Sequence, residues 1–346
     1  MNRFFLAFVF LAVFFTSCDI KEEGIDANSK IYIESVYGNQ VVTDYDTTFV
    51  AKDASGNDIS ANVTFYIDGV PQSAAVLRFH NAGAYQVKAD ISVDGTTKES
   101  DALTINVIEP RHSTKVLVED FTGTWCVNCP RVAFHLEEAV NQDQHIIPVG
   151  VHFSHPPQVT DPFGFVNVSD LTTPYHISAF PTPFLNRNTV WDEQVGSLQQ
   201  KIQKHQALGL AINSSVNAGN LTIDVKSRFD MNMSDADLFL VVYITENALF
   251  ADQSNSTTYY GGQNPIPNFE HKHTLRVALN GVMGTQIPKN ETQVNHTFVY
   301  HYSSVIPSEI SDINNCEIVA FIGKNTPIDD VLNVQKAAIG TDKDFD

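Results

Sequence analysis

Cys126 and Cys129 stand two residues apart in the run Val-Leu-Val-Glu-Asp-Phe-Thr-Gly-Thr-Trp-Cys-Val-Asn-Cys-Pro, residues 116–130. An apolar stretch leads into a Trp-Cys-x-x-Cys turn, and helix-forming residues follow. A helix N-terminus carries unpaired backbone N–H groups and a partial positive charge. Both stabilise a thiolate, which is the attacking species in disulfide chemistry. Two intervening residues let the second thiol reach back and resolve a mixed disulfide. Cys126 is therefore expected as the exposed nucleophile and Cys129, deeper in the helix, as the resolving thiol. Pro130 suits the first turn of that helix, where a missing N–H costs little. Two other readings stay open. A Cys pair with two more ligands would hold zinc, but there is no second pair and no zinc-finger histidine spacing, so no metal is expected. The pair would also serve as a structural disulfide that never exchanges.

Asp120 lies in the apolar stretch, and strand alternation puts it on the face of Val116 and Val118, with Glu119 opposite. Burial there would raise its pKa, because burial disfavours the charged form. An exposed acid at a strand end is the competing expectation. Four cysteines are present in all. Cys18 belongs to the leader and Cys316 reads as a small buried hydrophobe, so two bridges are not expected. His271 and His273 alternate and would face one side of a strand, but two ligands do not make a metal site. His152 and His155 follow an apolar strand and would approach the cysteine edge.

The elements that must position these groups are spread over 346 residues, enough for two or three domains. The net charge is −19, with 40 acidic against 21 basic side chains, which argues against a nucleic-acid partner. Residues 1–18 are expected to be a leader: Arg3, an apolar run from Phe4 to Phe15, then Thr16-Ser17-Cys18. That run is shorter than the ~20 apolar residues a membrane-spanning helix needs. Small residues running into a cysteine resemble a lipoprotein signal, with Cys18 as the acylated residue and the link to the membrane. The acidic tract after it resembles a surface-export signal, and 19–29 reads as a flexible tether.

Residues 30–109 show short β-branched and aromatic runs, such as Thr48–Ala51 and Ala84–Ile91, punctuated by turn signals; the expectation is an immunoglobulin-like β-sandwich. Over 112–206 the order becomes strand, helix, strand: Lys115–Phe121, Pro130–Val140, His145–Phe153, a short strand at Phe184–Leu185, and a helix over Asp192–Gln206. That order implies an α/β domain with a sheet covered by helices. Strands return over 207–346, read as a second β-sandwich. Between Leu249 and Glu270 lies a long Asn-, Ser-, Gly-, Tyr- and Pro-rich segment, expected to be a functional or mobile loop.

The cysteine motif resembles the thioredoxin superfamily, and Tyr-His-Ile-Ser-Ala-Phe-Pro-Thr-Pro-Phe-Leu-Asn-Arg, residues 175–187, is similar to its second conserved segment. The resemblance implies a thioredoxin-like fold for 112–206, a cis-proline at Pro181 shaping the substrate groove, and a proton-moving role for Asp120. The whole layout, with Glu-Asp-Phe-Thr-Gly-x-Trp-Cys and Glu-His-Lys-His-Thr-Leu-Arg at 270–276, resembles the Bacteroidetes outer-membrane proteins related to the twenty-eight-kilodalton Omp. That implies an exported outer-membrane lipoprotein at the cell surface or periplasmic face. Two functions follow: a cofactor-free thiol–disulfide oxidoreductase acting on thiols or disulfides of exported proteins, or a surface binding or adhesion protein on a thioredoxin-like scaffold.

Overall fold

The computed structural model describes residues 30–155, 157–202 and 205–346. The leader, the tether and Cys18 lie outside the described residues. The architecture is mixed α/β, with several β-sheets and few, short helices.

Between residues 30 and 108 a three-stranded sheet faces a six-stranded one. Phe49, Phe65, Val87 and Ile105 are buried between them. Alternation makes this possible, since Asp46–Lys52 turns every second side chain inward. Short strands at Gln40–Val42 and Thr96–Glu99 complete the larger sheet.

A nine-stranded sheet dominates the rest. Its order is Thr189–Val190, Thr182–Leu185, Val116–Thr122, Ile146–His152, Thr274–Ala278, Leu238–Glu246, Cys316–Lys324 and Asp330–Ala338, with Thr285–Gln286 paired to Leu238–Glu246. Val116–Thr122 runs parallel to Ile146–His152 and antiparallel to Thr182–Leu185. The connection between the parallel pair carries the Cys129–Gln142 helix. Val116 and Val118 pack with Leu136 and Ala139 of this helix and with Trp191 and Leu198. Leu117 and Phe121 point the other way, against Tyr243 and Phe321. A strand buried on both faces reads as a nearly unbroken apolar run, and this one departs from that only at Glu119, Asp120 and the terminal Thr122. The sheet continues through the 206/207 position where composition changes. Residues 112–206 and 207–346 therefore share one hydrogen-bonded layer.

The Leu208–Asn217 strand pairs along its length with Asn220–Phe229. The turn between them places Ala218 and Gly219 at positive φ, the conformation a tight hairpin needs. These strands, with Thr297–Val305 and Asp342–Lys343, form a four-stranded sheet. Leu210, Ile223 and Val225 from it pack against Leu240, Ile318 and Ala320 of the large sheet.

Two expectations are corrected. The helix read over Asp192–Gln206 spans Val195–Ile202, and Gln206 instead forms a β-bridge with His112. Gln203 and Lys204 lie outside the described residues. The segment read as a loop from Leu249 to Glu270 is largely a hairpin, with Leu249–Gln253 antiparallel to Ile266–His271.

Candidate active site

Cys126 and Cys129 are joined in a disulfide. Cys129 opens the helix, with Pro130 in its first turn. The turn is closed by the Cys126 N–H donating to the Gly123 carbonyl at 3.0 Å. Gly123 leaves room for the Trp125 indole, because a Cβ there would meet it at 2.5 Å. The indole N–H donates to the Phe153 carbonyl at 3.0 Å, and its ring lies edge-on to Phe180, centroids 5.4 Å apart. The Phe180–Pro181 peptide bond is cis. Phe121 pairs with Thr182, so Pro181 lies beside the chain that leads into the cysteine turn.

Asp120 sits on the Val116–Val118 face and is 5% exposed, so the exposed-acid expectation is set aside. Burial raises its pKa to about 7; Glu193 adds to the rise and Arg131 opposes it. Its Oδ1 meets no hydrogen-bond partner among the described residues. Asp120 and Cys129 line the same cavity, of about 430 Å³, walled by Leu136, Phe269 and His271.

The expectation of an exposed Cys126 is corrected. Cys126 is 4% and Cys129 2% exposed. The cover is the 249–271 hairpin. The Gln253 side chain donates to the Cys126 carbonyl at 2.9 Å and the Gly123 carbonyl at 3.3 Å. The Ser254 N–H donates to the Thr124 carbonyl and the Ser256 N–H to the Val127 carbonyl, each at 2.8 Å. Farther along, Tyr259 OH contacts His135 Nε2 at 2.9 Å, and its ring packs at a tilt against Phe134, centroids 4.9 Å apart.

His152 reaches the site indirectly. Its Nδ1 lies 3.0 Å from Asp161 Oδ2, which also accepts the Thr124 N–H at 2.6 Å. Burial works to raise the Asp161 pKa, but these bonds and the Phe163 N–H outweigh it and hold the carboxyl below its ordinary value. His155 forms a β-bridge with Val159. His271 and His273 do not share a strand face: His271 ends the hairpin, and His273 follows at positive φ with its Nδ1 3.3 Å from Glu317. Burial, then His152, lower the His271 pKa to about 4. Cys316 is buried and free, and burial pushes its thiol up to about 12.

Gln253 and Asp161 escape sequence reasoning, as does one buried ion pair. Arg187, 1% exposed, donates from Nε and Nη2 to both Glu119 oxygens at 2.8 and 2.9 Å. Nη2 also reaches Tyr243 OH at 2.6 Å, and Nη1 donates to the Val282 carbonyl at 2.8 Å. The only sequence signal was Glu119 facing away from Asp120 in an apolar strand, because a buried carboxylate requires a partner.

Residues 169–343 match the family described as outer membrane protein Omp28. The chain belongs to the Omp28 family. Among solved structures this Omp28-family chain is similar to HBP35 of Porphyromonas gingivalis, at 15% identity and a TM-score of 0.52, over 67% of this chain and 77% of that one. It is also matched to a domain of the outer membrane lipoprotein Omp28 from Porphyromonas gingivalis, at 16% identity and a TM-score of 0.26, over 39% of this chain and 89% of that one. At such identity the HBP35 likeness speaks for the fold alone. No curated protein matches the chain. Family membership supports an outer-membrane association.

Proposed function

We propose that this Omp28-family protein carries out thiol–disulfide exchange with exported polypeptides, on a thioredoxin-like frame spanning 112–206. The observation that carries the reading is the Cys126–Cys129 disulfide at a helix start, with Asp120 buried behind it and raised to about 7. A substrate thiolate attacks Cys126 Sγ, the Cys126–Cys129 bond breaks, and Cys129 leaves as a thiolate that takes a proton from Asp120. A second substrate thiol, as its thiolate, attacks the substrate sulfur of the mixed disulfide and releases Cys126. The substrate is then oxidised by two electrons and the protein holds a dithiol; the reverse sequence reduces a substrate disulfide. Pro181 borders the groove in which the substrate backbone lies. Cys18 is the lipid anchor to the outer membrane, and 30–109 is an immunoglobulin-like spacer.

The burial of both sulfurs favours a second reading, a surface binding protein with a structural disulfide. Equilibration of the full chain with glutathione and dithiothreitol buffers separates the two. A potential in the range of thioredoxin-fold proteins, roughly −270 to −120 mV, and loss of exchange in Cys126→Ser support the enzyme. A potential below about −300 mV, with exchange unaffected by Cys126→Ser, would sink it.

A further inference from the structure

The hairpin does more than cover the disulfide; it bonds the cysteine loop in the manner of an extended peptide. Ser254 and Ser256 are two residues apart, so their N–H groups leave the same side of an extended chain. Both donate, at 2.8 Å, to carbonyls that flank Cys126: those of Thr124 and Val127. Gln253 adds its side-chain N–H groups to the Cys126 carbonyl itself. The segment is held in that shape from behind. Asn255, 1% exposed, accepts from the Thr257 N–H at 2.8 Å and donates to the Tyr259 and Gln263 carbonyls at 3.3 and 3.1 Å. At the far end of the hairpin Lys272 pairs with Glu137 of the cysteine helix at 2.7 Å.

We infer that Gln253–Ser256 is an internal occupant of the substrate-docking edge, and that the partner which displaces it is an extended polypeptide segment carrying a cysteine. The inference rests on the redox reading and names its substrate class. Thr124 is 8% and Val127 43% exposed; opening the hairpin takes the protein donor from both carbonyls, and leaving the buried Thr124 carbonyl unpaired is unfavourable. An extended peptide presenting N–H groups at alternate residues re-satisfies both as it enters. A small thiol satisfies neither, and reaches the disulfide only in the fraction of molecules whose hairpin is already open. Exchange with a peptide is therefore faster than with a small thiol of matched reactivity.

Two probes test this on the oxidised full chain: dithiothreitol, and a reduced heptapeptide with one central cysteine flanked by Thr and Val. Gln253→Ala removes two hydrogen bonds of the cover, and Tyr259→Ala removes the packing on Phe134 and His135. Either variant, if folded by near-ultraviolet dichroism, is expected to speed dithiothreitol exchange about tenfold, the effect of losing roughly 1.4 kcal/mol of closure. The peptide rate rises less, because the peptide drives its own opening. In Cys129→Ser the same peptide is supplied as its mixed disulfide with 2-nitro-5-thiobenzoate; the Cys126 thiolate attacks the peptide sulfur, the nitrothiobenzoate leaves as a thiolate, and the Ser254 and Ser256 amides are expected to lose protection from hydrogen exchange once the peptide is attached. Unchanged rates in both variants, or retained protection of both amides in the trapped species, would overturn the inference while leaving exchange itself intact. Absence of exchange with both probes in parent and variants would instead remove the redox reading, and this inference with it.

Discussion

Asp120 and Glu119 are neighbours in one strand with opposite solutions to the same burial problem. Among the described residues Asp120 has no cation in hydrogen-bond contact, so burial holds its proton on until about pH 7. A group whose pKa is higher in the folded than in the unfolded chain favours folding at low pH. Its contribution is complete below the unfolded value, near 4, and is lost as pH rises through 7. The parent is therefore expected to lose up to about 4 kcal/mol of unfolding free energy across that window, less what other groups offset, by urea titration at stepped pH. Asp120→Asn should flatten the curve; an unaltered slope would assign the titration elsewhere. Glu119 instead pairs with Arg187, with both side chains fully buried. Arg187→Met strands that carboxylate and should cost about 3–5 kcal/mol in a denaturant melt, whereas Glu119→Leu with Arg187→Met should recover much of the loss. The face of each acid was legible from the period of two along the strand. The identity of Glu119's partner was not, because 68 residues separate it from Arg187 and only the folded sheet brings them together.

Strands and helices with a strong internal signal were found close to their true bounds, while those defined by what they pack against were missed. Val116–Thr122 is buried along nearly its whole length with apolar residues on both sides of Glu119 and Asp120, and the Cys129–Gln142 helix repeats its buried Val132, Leu136 and Ala139 at three- and four-residue spacing. The hairpin that covers the disulfide has no such signature. Its second strand, Ile266–His271, contains Pro267 and Asn268 and alternates poorly, so only pairing with Leu249–Gln253 and contact with the cysteine turn define it. This element carries its own pH response. His271 is buried against His152, Phe163 and Phe269, near Asp161, and its pKa falls to about 4. A histidine kept neutral by the fold stabilises it above the unfolded value of about 6.5, and that contribution is lost as pH falls toward 4. Amide protection in 249–271, corrected for intrinsic exchange, is expected to drop between pH 6.5 and 4.5. His271→Gln should remove most of that drop. Equal loss of protection in the variant would mean that the hairpin is loosened by another group.

Across the whole molecule, the change from strand–helix alternation to repeated strands near residue 207 was legible, but the consequence for cooperativity was not. Composition marks where the pattern changes; it does not say which edge a later strand will join. Thr274–Ala278 returns to pair in parallel with Ile146–His152 at Gly150, and Leu238–Glu246 follows it in the same layer. The inner face of the cysteine-bearing strands is buried by this later segment, since Leu117, Phe121, Val149 and Val151 pack with Tyr243, Leu275 and Phe321. The residues just before 112–206 are tied forward as well: Arg111 donates from its backbone N–H and Nε to the buried Asp230 at 2.8 and 2.7 Å, while Gln40 donates to the Asp230 carbonyl at 2.8 Å. A fragment of 112–206 would expose one face of its central strands and leave Ile146–His152 as an open edge, a combination that favours association over folding. It is expected to lack a cooperative thermal transition and to bind a hydrophobic dye, whereas 112–346 unfolds in one step. A sharp two-state melt of the shorter fragment would show that its own core, around Val118, Leu136 and Leu198, is sufficient. The later strands would then be a platform joined to an independent cysteine-bearing unit.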